Sequence, residues 1–312
     1  MKSKILRSIS GEDLGSFARV TQLSVIVSLV FIFLTPAASA APRVYVVTGT
    51  QQFGIVDLST GQFTAIGNGT PDALSNLVWF KGNLLTVTVS GANIGSLARI
   101  NPATGVETII GQTGLGFNIF DLGEARGKLF ATDLSNNIYS VDPERGVATP
   151  IRATGIPPDP TIPLTFNNDG TFNLCDEGLY SAGGKLYATF DSFAIDPNQL
   201  PPTRPHENVP PVLYQIDPST GEATPVGNTD WQLTAIVDVQ GKFYGFRGVI
   251  DGFDFGFNFP IGHAEVVGLN LSNGKTNKLI DVDPSIGVIL GAAPVRRVGL
   301  AMGPVSWEAG SK

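Results

Sequence analysis

The stretch Tyr214-Gln215-Ile216-Asp217-Pro218-Ser219-Thr220-Gly221, followed by Glu222-Ala223-Thr224-Pro225-Val226-Gly227, decides the fold. An alternating strand runs into Asp-Pro-x-x-Gly and a second alternating strand leaves it. Asp opens the turn by bonding the backbone ahead of it, Pro presets φ at the next position, and Gly accepts the positive φ that closes a short hairpin. The same grammar recurs at Asp57–Gly61, Asn101–Gly105, Asp142–Gly146 and Asn270–Gly274. These aspartates and asparagines are therefore turn formers first.

A second signature lies between the hairpins. Gly82-Asn83-Leu84-Leu85, Gly127-Lys128-Leu129-Phe130, Gly184-Lys185-Leu186-Tyr187 and Gly241-Lys242-Phe243-Tyr244 each follow an apolar stretch and begin a new strand. One unit reads as strand, Asp-Pro-x-x-Gly turn, strand, loop, strand, Gly-Lys turn, strand. Four strands repeated in this way make a propeller blade. Gly61 to Gly105 is 44 residues and Gly105 to Gly146 is 41, as expected of blades about 40 to 50 residues long. The later intervals, 75 and 53 residues, contain insertions at 156–163, 196–211 and 251–260.

The fifth unit has its hairpin at Gly274 and no Gly-Lys strand, and a third strand is predicted at Val298–Met302. Val44-Tyr45-Val46-Val47-Thr48 resembles the missing piece. Closing the ring with a strand from the other end of the chain removes an exposed edge. The expected fold is all-β, a single propeller of five four-stranded blades closed by the N-terminal strand. Six blades is the alternative if the insertions hide a further set of strands.

Composition agrees. Of 312 residues, 42% are hydrophobic and 15% charged, with Gly 37 and Pro 22, which suits many strands and tight turns. The single cysteine, Cys175, excludes an internal disulfide framework and a multi-cysteine metal site, and reads as a small buried residue. A net charge of -7 argues against nucleic acid as partner. At the N-terminus, Lys2, Lys4, Arg7 and Arg19 precede the apolar run Leu23–Leu34 and the small-residue sequence Ala38-Ser39-Ala40. This pattern predicts a secretory signal peptide at 1–40, a propeller domain at 41–307 and a tail at 308–312. The expected destination is the periplasm or the exterior of a bacterium, with no membrane span after cleavage.

The Asp-Pro-x-x-Gly hairpins and the Val-Tyr-Val-Val-Thr and Leu-Tyr-Ala-Thr strands resemble the repeats of bacterial secreted β-propellers of the YVTN and quinoprotein-like types. The resemblance spans Ala41 to Trp307 and implies a fold rather than an activity, because such folds host enzymes, lectins and scaffolds.

Local chemistry is sparse. His206 and His263 each stand alone in their segments, and no nucleophile elbow, H-E-x-x-H or Walker sequence occurs. No catalytic residue is assigned. Two functions are carried forward. The first is an exported non-catalytic binding or scaffold protein that holds a protein or carbohydrate through inserted loops on one face, without a cofactor. Phe253, Asp254, Phe255, Phe257 and Asn258 form its candidate ledge, alternating aromatic and polar residues. The second is a hydrolase resembling lactonases, with a divalent metal in the channel held by Asp121, Asp176, Glu177 and Asp238, all near the third strand of a unit.

Overall fold

The computed structural model describes residues 41–116, 119–133, 136–156, 172–195, 211–230, 233–254 and 259–296. Their contacts group the chain from Pro42 onward as one unit. It is built of five antiparallel four-stranded sheets, the five blades of a propeller. Blade 1 contains β4 (Leu74–Phe80), β5 (Asn83–Thr88), β6 (Ser96–Ile100) and β7 (Glu107–Gln112). Blade 2 contains β8 (Ile119–Ala125), β9 (Lys128–Asp133), β10 (Asn137–Val141) and β11 (Ala148–Ala153). Blade 3 contains β12 (Phe172–Ala182), β13 (Lys185–Ile195), β14 (Val212–Ile216) and β15 (Ala223–Asn228). Blade 4 contains β16 (Leu233–Val239), β17 (Lys242–Asp254), β18 (Phe259–Leu269) and β19 (Thr276–Asp281). Blade 5 joins β20 (Ile289–Pro294) to β1 (Arg43–Thr48), β2 (Phe53–Asp57) and β3 (Phe63–Ala65), in the order β20-β1-β2-β3. The first strand of each blade lies innermost. β4, β8, β12, β16 and β20 touch in that order, and β20 returns to β4.

The sequence repeat is offset from the blade by two strands. A Gly-Lys turn joins the first and second strands of a sheet, and an Asp-Pro-x-x-Gly turn joins the third and fourth. The repeat written as one unit therefore straddles two blades, and its central loop is the crossing between them. β1 takes the position of the missing Gly-Lys strand, pairing Tyr45 with Ala293 and with Ile55. Its innermost partner is Ile289–Pro294, upstream of the predicted strand Val298–Met302, which lies outside the described residues.

The turns form for the reasons legible in their residues. In the third blade the Asp217 carboxylate accepts from Ser219 N at 2.8 Å, and Gly221 N donates to the Asp217 carbonyl at 2.7 Å. The Ser219 hydroxyl, donating to the same carboxylate, holds Asp217 below its ordinary pKa. Gly61, Gly105, Gly146, Gly221 and Gly274 all have φ between 70° and 79°. The glycine also serves the assembly. A Cβ on Gly61 would strike the carbonyl oxygen of Asp281, and one on Gly146 the carbonyl oxygen of Gly111. Each turn tip is thus pressed against the rim strand of the preceding blade, where a side chain has no room.

Buried side chains fall into five groups, each lying between two blades. Val44, Val46 and Val56 of blade 5 meet Ala235, Phe246 and Val266 of blade 4. Leu85 and Leu97 of blade 1 meet Leu122 and Leu129 of blade 2, and the other three interfaces follow the same plan. Blade stability is therefore mostly blade-to-blade packing. Outermost strands are mainly exposed, as in β7 and β15. In blades 1 to 4 their edges are blunted by register irregularities, and by Pro150 in β11 and Pro225 in β15, placed beside those irregularities. Among the described residues, no helix is long and apolar enough to cross a membrane.

Candidate functional site

The axis of the ring is where a propeller ordinarily gathers one residue from each blade. In β4 the alternation breaks at Ser75-Asn76-Leu77, where the pairing with β5 shifts register and Asn76 adopts φ 53°. This left-handed kink, tolerated by Asn better than by most residues, aims its side chain across the axis. Asn76 Nδ2 donates to the Leu122 carbonyl of β8 at 2.7 Å and to the Leu179 carbonyl of β12. β12 is not a neighbour of β4, so the amide spans the channel. Its Oδ1 accepts from Leu77 N at 2.7 Å. Gly291 of β20 lies so close to the Asn76 backbone that a Cβ there would overlap it. The side chain of Asn76 therefore ties three inner strands together, while its backbone packs against a fourth.

The register around the Gly-Lys turns aligns Trp79, Glu124, Ser181 and Asp238 at one level, each one residue before the closing pair of its hairpin. With Asn76 and Arg296 they surround a cavity of about 210 Å3 at that end of the axis. Glu124 Oε1 accepts from Gly127 N at 2.8 Å and Asp238 Oδ1 accepts from Gly241 N at 2.8 Å. Both acids thus cap the tight turn that follows them. Ser181 Oγ accepts from Glu124 N. Trp79 Nε1 donates to the Pro294 carbonyl at 2.8 Å, and the Arg296 guanidinium lies 5.0 Å from the indole centroid.

Toward the opposite end, Asp121 is almost wholly buried and accepts from Ser75 Oγ at 3.3 Å. Asp176 and Glu177 lie on β12 further toward that end, opposite Asp191 and Phe190 of β13. The four candidate metal ligands are thus divided along the axis, Asp238 at the Gly-Lys end and the other three toward the far end. Among the described residues, no three His, Cys, Asp or Glu side chains are gathered as a metal cluster.

Two strand pairs outgrow their blades. β12 and β13 pair over their full length, whereas β14 covers only Leu186–Phe190 of β13. β17 leaves β16 at Arg247 and continues with β18 alone as far as Asp254 opposite Phe259. Because strands alternate in direction, both extensions leave the ring on the face opposite the Gly-Lys turns. Phe253 and Asp254 lie at the end of the β17 extension, Phe253 opposite Pro260. Phe255, Phe257, Asn258 and His206 lie outside the described residues. Cys175 sits on β12 opposite Ser192, and His263 on β18 opposite Val249.

The base of the β17–β18 extension is charged. Glu265, 4% exposed, contacts the Arg247 guanidinium on one side and accepts from Lys278 Nζ at 2.7 Å on the other. Lys278 also reaches Asp281 at 2.6 Å. Hydrogen bonds to Asp281 and Glu265 raise the Lys278 pKa, and Lys278 lowers that of Asp281. Neither this network nor Asn76 stood out in the sequence, where each member belongs to an ordinary strand. The one available signal for Asn76 was an amide and a serine inside an otherwise apolar run.

A further carboxyl is strained at the junction of blades 5 and 1. Desolvation, reinforced by the negative charge of Asp72, pushes Glu107 up to about 7. Both of its carboxylate oxygens are shielded from water, and a backbone hydrogen bond at Asp72 offsets the rise only in part. A carboxyl whose folded pKa exceeds its unfolded value is disfavoured once ionised, so stability is full below about pH 4.5 and declines as pH rises toward 7. Glu107→Gln is expected to raise stability above pH 7 by ~1 kcal/mol, a figure discounted because the residue as a whole is only partly buried. The gain should vanish below pH 4.5 in urea titrations across pH. Equal midpoints for both proteins at pH 8 would contradict the assignment.

No family model matches the chain, and no curated protein matches it. Among solved structures it is similar to a protein of unknown function from Bacteroides thetaiotaomicron, at 16% identity and a TM-score of 0.46, over 79% of this chain and 57% of that one. It is also similar to TolB from Acinetobacter baumannii, at 14% identity and a TM-score of 0.41, over 81% of this chain and 56% of that one. A putative TolB from Agrobacterium tumefaciens shows 14% identity and a TM-score of 0.40, over 80% of this chain and 91% of that one. The chain thus spans little more than half the length of the first two, and its activity is left to be read from its own residues.

Proposed function

We propose that this chain is an exported binding scaffold that docks a protein partner, without catalysis or cofactor, on the face carrying the β12–β13 and β17–β18 extensions. The observation that carries this reading is that two adjacent blades prolong their hairpins toward the same side. Paired strands projecting from a closed ring make a preorganised platform, and the ordering entropy lost on docking is smaller for it than for free loops. The Asn76 bridge supports the non-catalytic part, since it occupies the middle of the axis with a satisfied amide. The pattern of residues 1–40 supports export to the periplasm or beyond.

The test replaces Phe253, Phe255 and Phe257 together with Ser. Photo-crosslinking in a bacterial envelope fraction should capture a protein partner with the parent and lose it with the variant, while the melting temperature stays near the parent value. A clear fall in melting temperature with capture intact would mean that the aromatic segment only caps the ring.

A further inference from the structure

The opposite face carries a second feature that the extended hairpins do not explain. Where blades 3 and 4 diverge beside their Gly-Lys turns, a groove of about 1380 Å3 opens between them. Phe243, Leu271 and Leu279 contribute apolar surface, and Lys185, Lys242 and Lys275 stand around it. Among the described residues that line it, none is acidic. In a chain with 27 acidic and 20 basic residues, such a segregation of charge is local and strong.

None of the three lysines is neutralised well. Lys185 Nζ donates to the uncharged Gln215 amide at 2.9 Å. Lys275 lies 3.9 Å from Asp230, with both side chains more than half exposed, an arrangement of little worth. Lys242 is exposed and has no side-chain partner among the described residues. Three cations over an apolar floor match a ligand that alternates carboxylates with apolar side chains. The overall negative charge repels long polyanions and anionic surfaces. A short segment feels mainly the charges within a Debye length, about 10 Å at 0.1 M salt.

We propose that the groove between blades 3 and 4 docks an acidic, extended peptide segment of a partner protein. Its apolar side chains lie on Phe243, Leu271 and Leu279, and its carboxylates face Lys185, Lys242 and Lys275. The chain would then present two separate docking faces on the same pair of blades, one built of extended hairpins and one of this cationic groove.

The probe is a fluorescein-labelled peptide of about ten residues alternating glutamate and leucine, titrated with the full chain and followed by anisotropy. Saturable binding that weakens as salt rises is expected. Lys185→Glu, Lys242→Glu and Lys275→Glu combined should weaken it at least about tenfold, with melting unchanged because all three side chains are exposed. If the combined variant misfolds, Lys242→Glu alone should still weaken binding about threefold or more. Equal affinity for a lysine–leucine peptide, unchanged affinity in the variants, or absence of saturation near 1 mM would each overturn the proposal. So would displacement of the peptide by inorganic phosphate at equal concentration, or chain retention on phosphatidylglycerol vesicles in place of peptide binding. The variant with serine at Phe253, Phe255 and Phe257 should bind the probe as the parent does, so the two docking faces fail or stand independently.

Discussion

Deletion of Arg43–Thr48 is expected to abolish cooperative folding of the whole ring. β1 is the only strand that joins the two ends of the described chain within one sheet, pairing with β20 on one side and β2 on the other. Its Val44, Val46 and Val47 are all 1% exposed or less and pack into the interfaces of blade 5 with blades 4 and 1. Burying three such side chains is worth roughly 6 kcal/mol, comparable with the ~5–15 kcal/mol net stability of a whole domain. The deletion also frees the ladder edges of β20 and β2. Circular dichroism during urea unfolding should show no sharp transition. A truncated protein with the midpoint of the full chain would show that closure is dispensable.

The second large effect is expected at the axis. Asn76→Asp keeps the shape of the side chain and replaces the amide donors with a carboxylate. Two buried carbonyls, of Leu122 and Leu179, would then face an oxygen instead of an N–H. Unpaired acceptors of this kind cost about 1–3 kcal/mol each, and the new carboxyl must be buried neutral or charged. A loss of ~3–5 kcal/mol is expected in urea unfolding at pH 7. The loss should shrink as pH falls and the carboxyl is protonated. Asn76→Gly, which suits the left-handed backbone but lacks the amide, should be destabilised with no such pH dependence. If Asn76→Asp melts with the parent, the amide does not hold the inner strands together.

The fold could be read in advance because its signals are local. The turn at Asp217–Gly221 is specified by five consecutive residues, and its hydrogen bonds and positive φ depend on nothing further away. Val44–Thr48 was recognisable as the missing strand because strand alternation and turn spacing count strands along the chain. The phase of the blade was not legible, since a repeat can be cut at any of its loops. Which cut coincides with a sheet is set by hydrogen bonds between strands. The innermost strand of the closing blade was missed for a related reason: Ile289–Pro294 lacks the Gly-Lys turn that marks its counterparts.

Site residues divide the same way. Asp238 was singled out as a possible ligand, and its carboxylate caps the turn at Gly241, a role visible in the spacing of three residues. Glu265 and Glu107 sit in ordinary alternating strands, and the only local mark of Asn76 is its place beside Ser75 in an apolar run. Their importance comes from partners 46 to 103 residues away for Asn76, and from a charge network gathered across three strands for Glu265. The all-β class, the number of hairpins, the turn geometry and the closure by β1 were legible in the residues, since each follows from short-range sterics and strand periodicity. Packing between the blades decided that Asn76 crosses the axis, that both long hairpins leave one face, and that three lysines line one groove between blades 3 and 4. Those facts depend on how five separate sheets rotate about a common axis, and that rotation is set by side-chain packing at the five interfaces between blades.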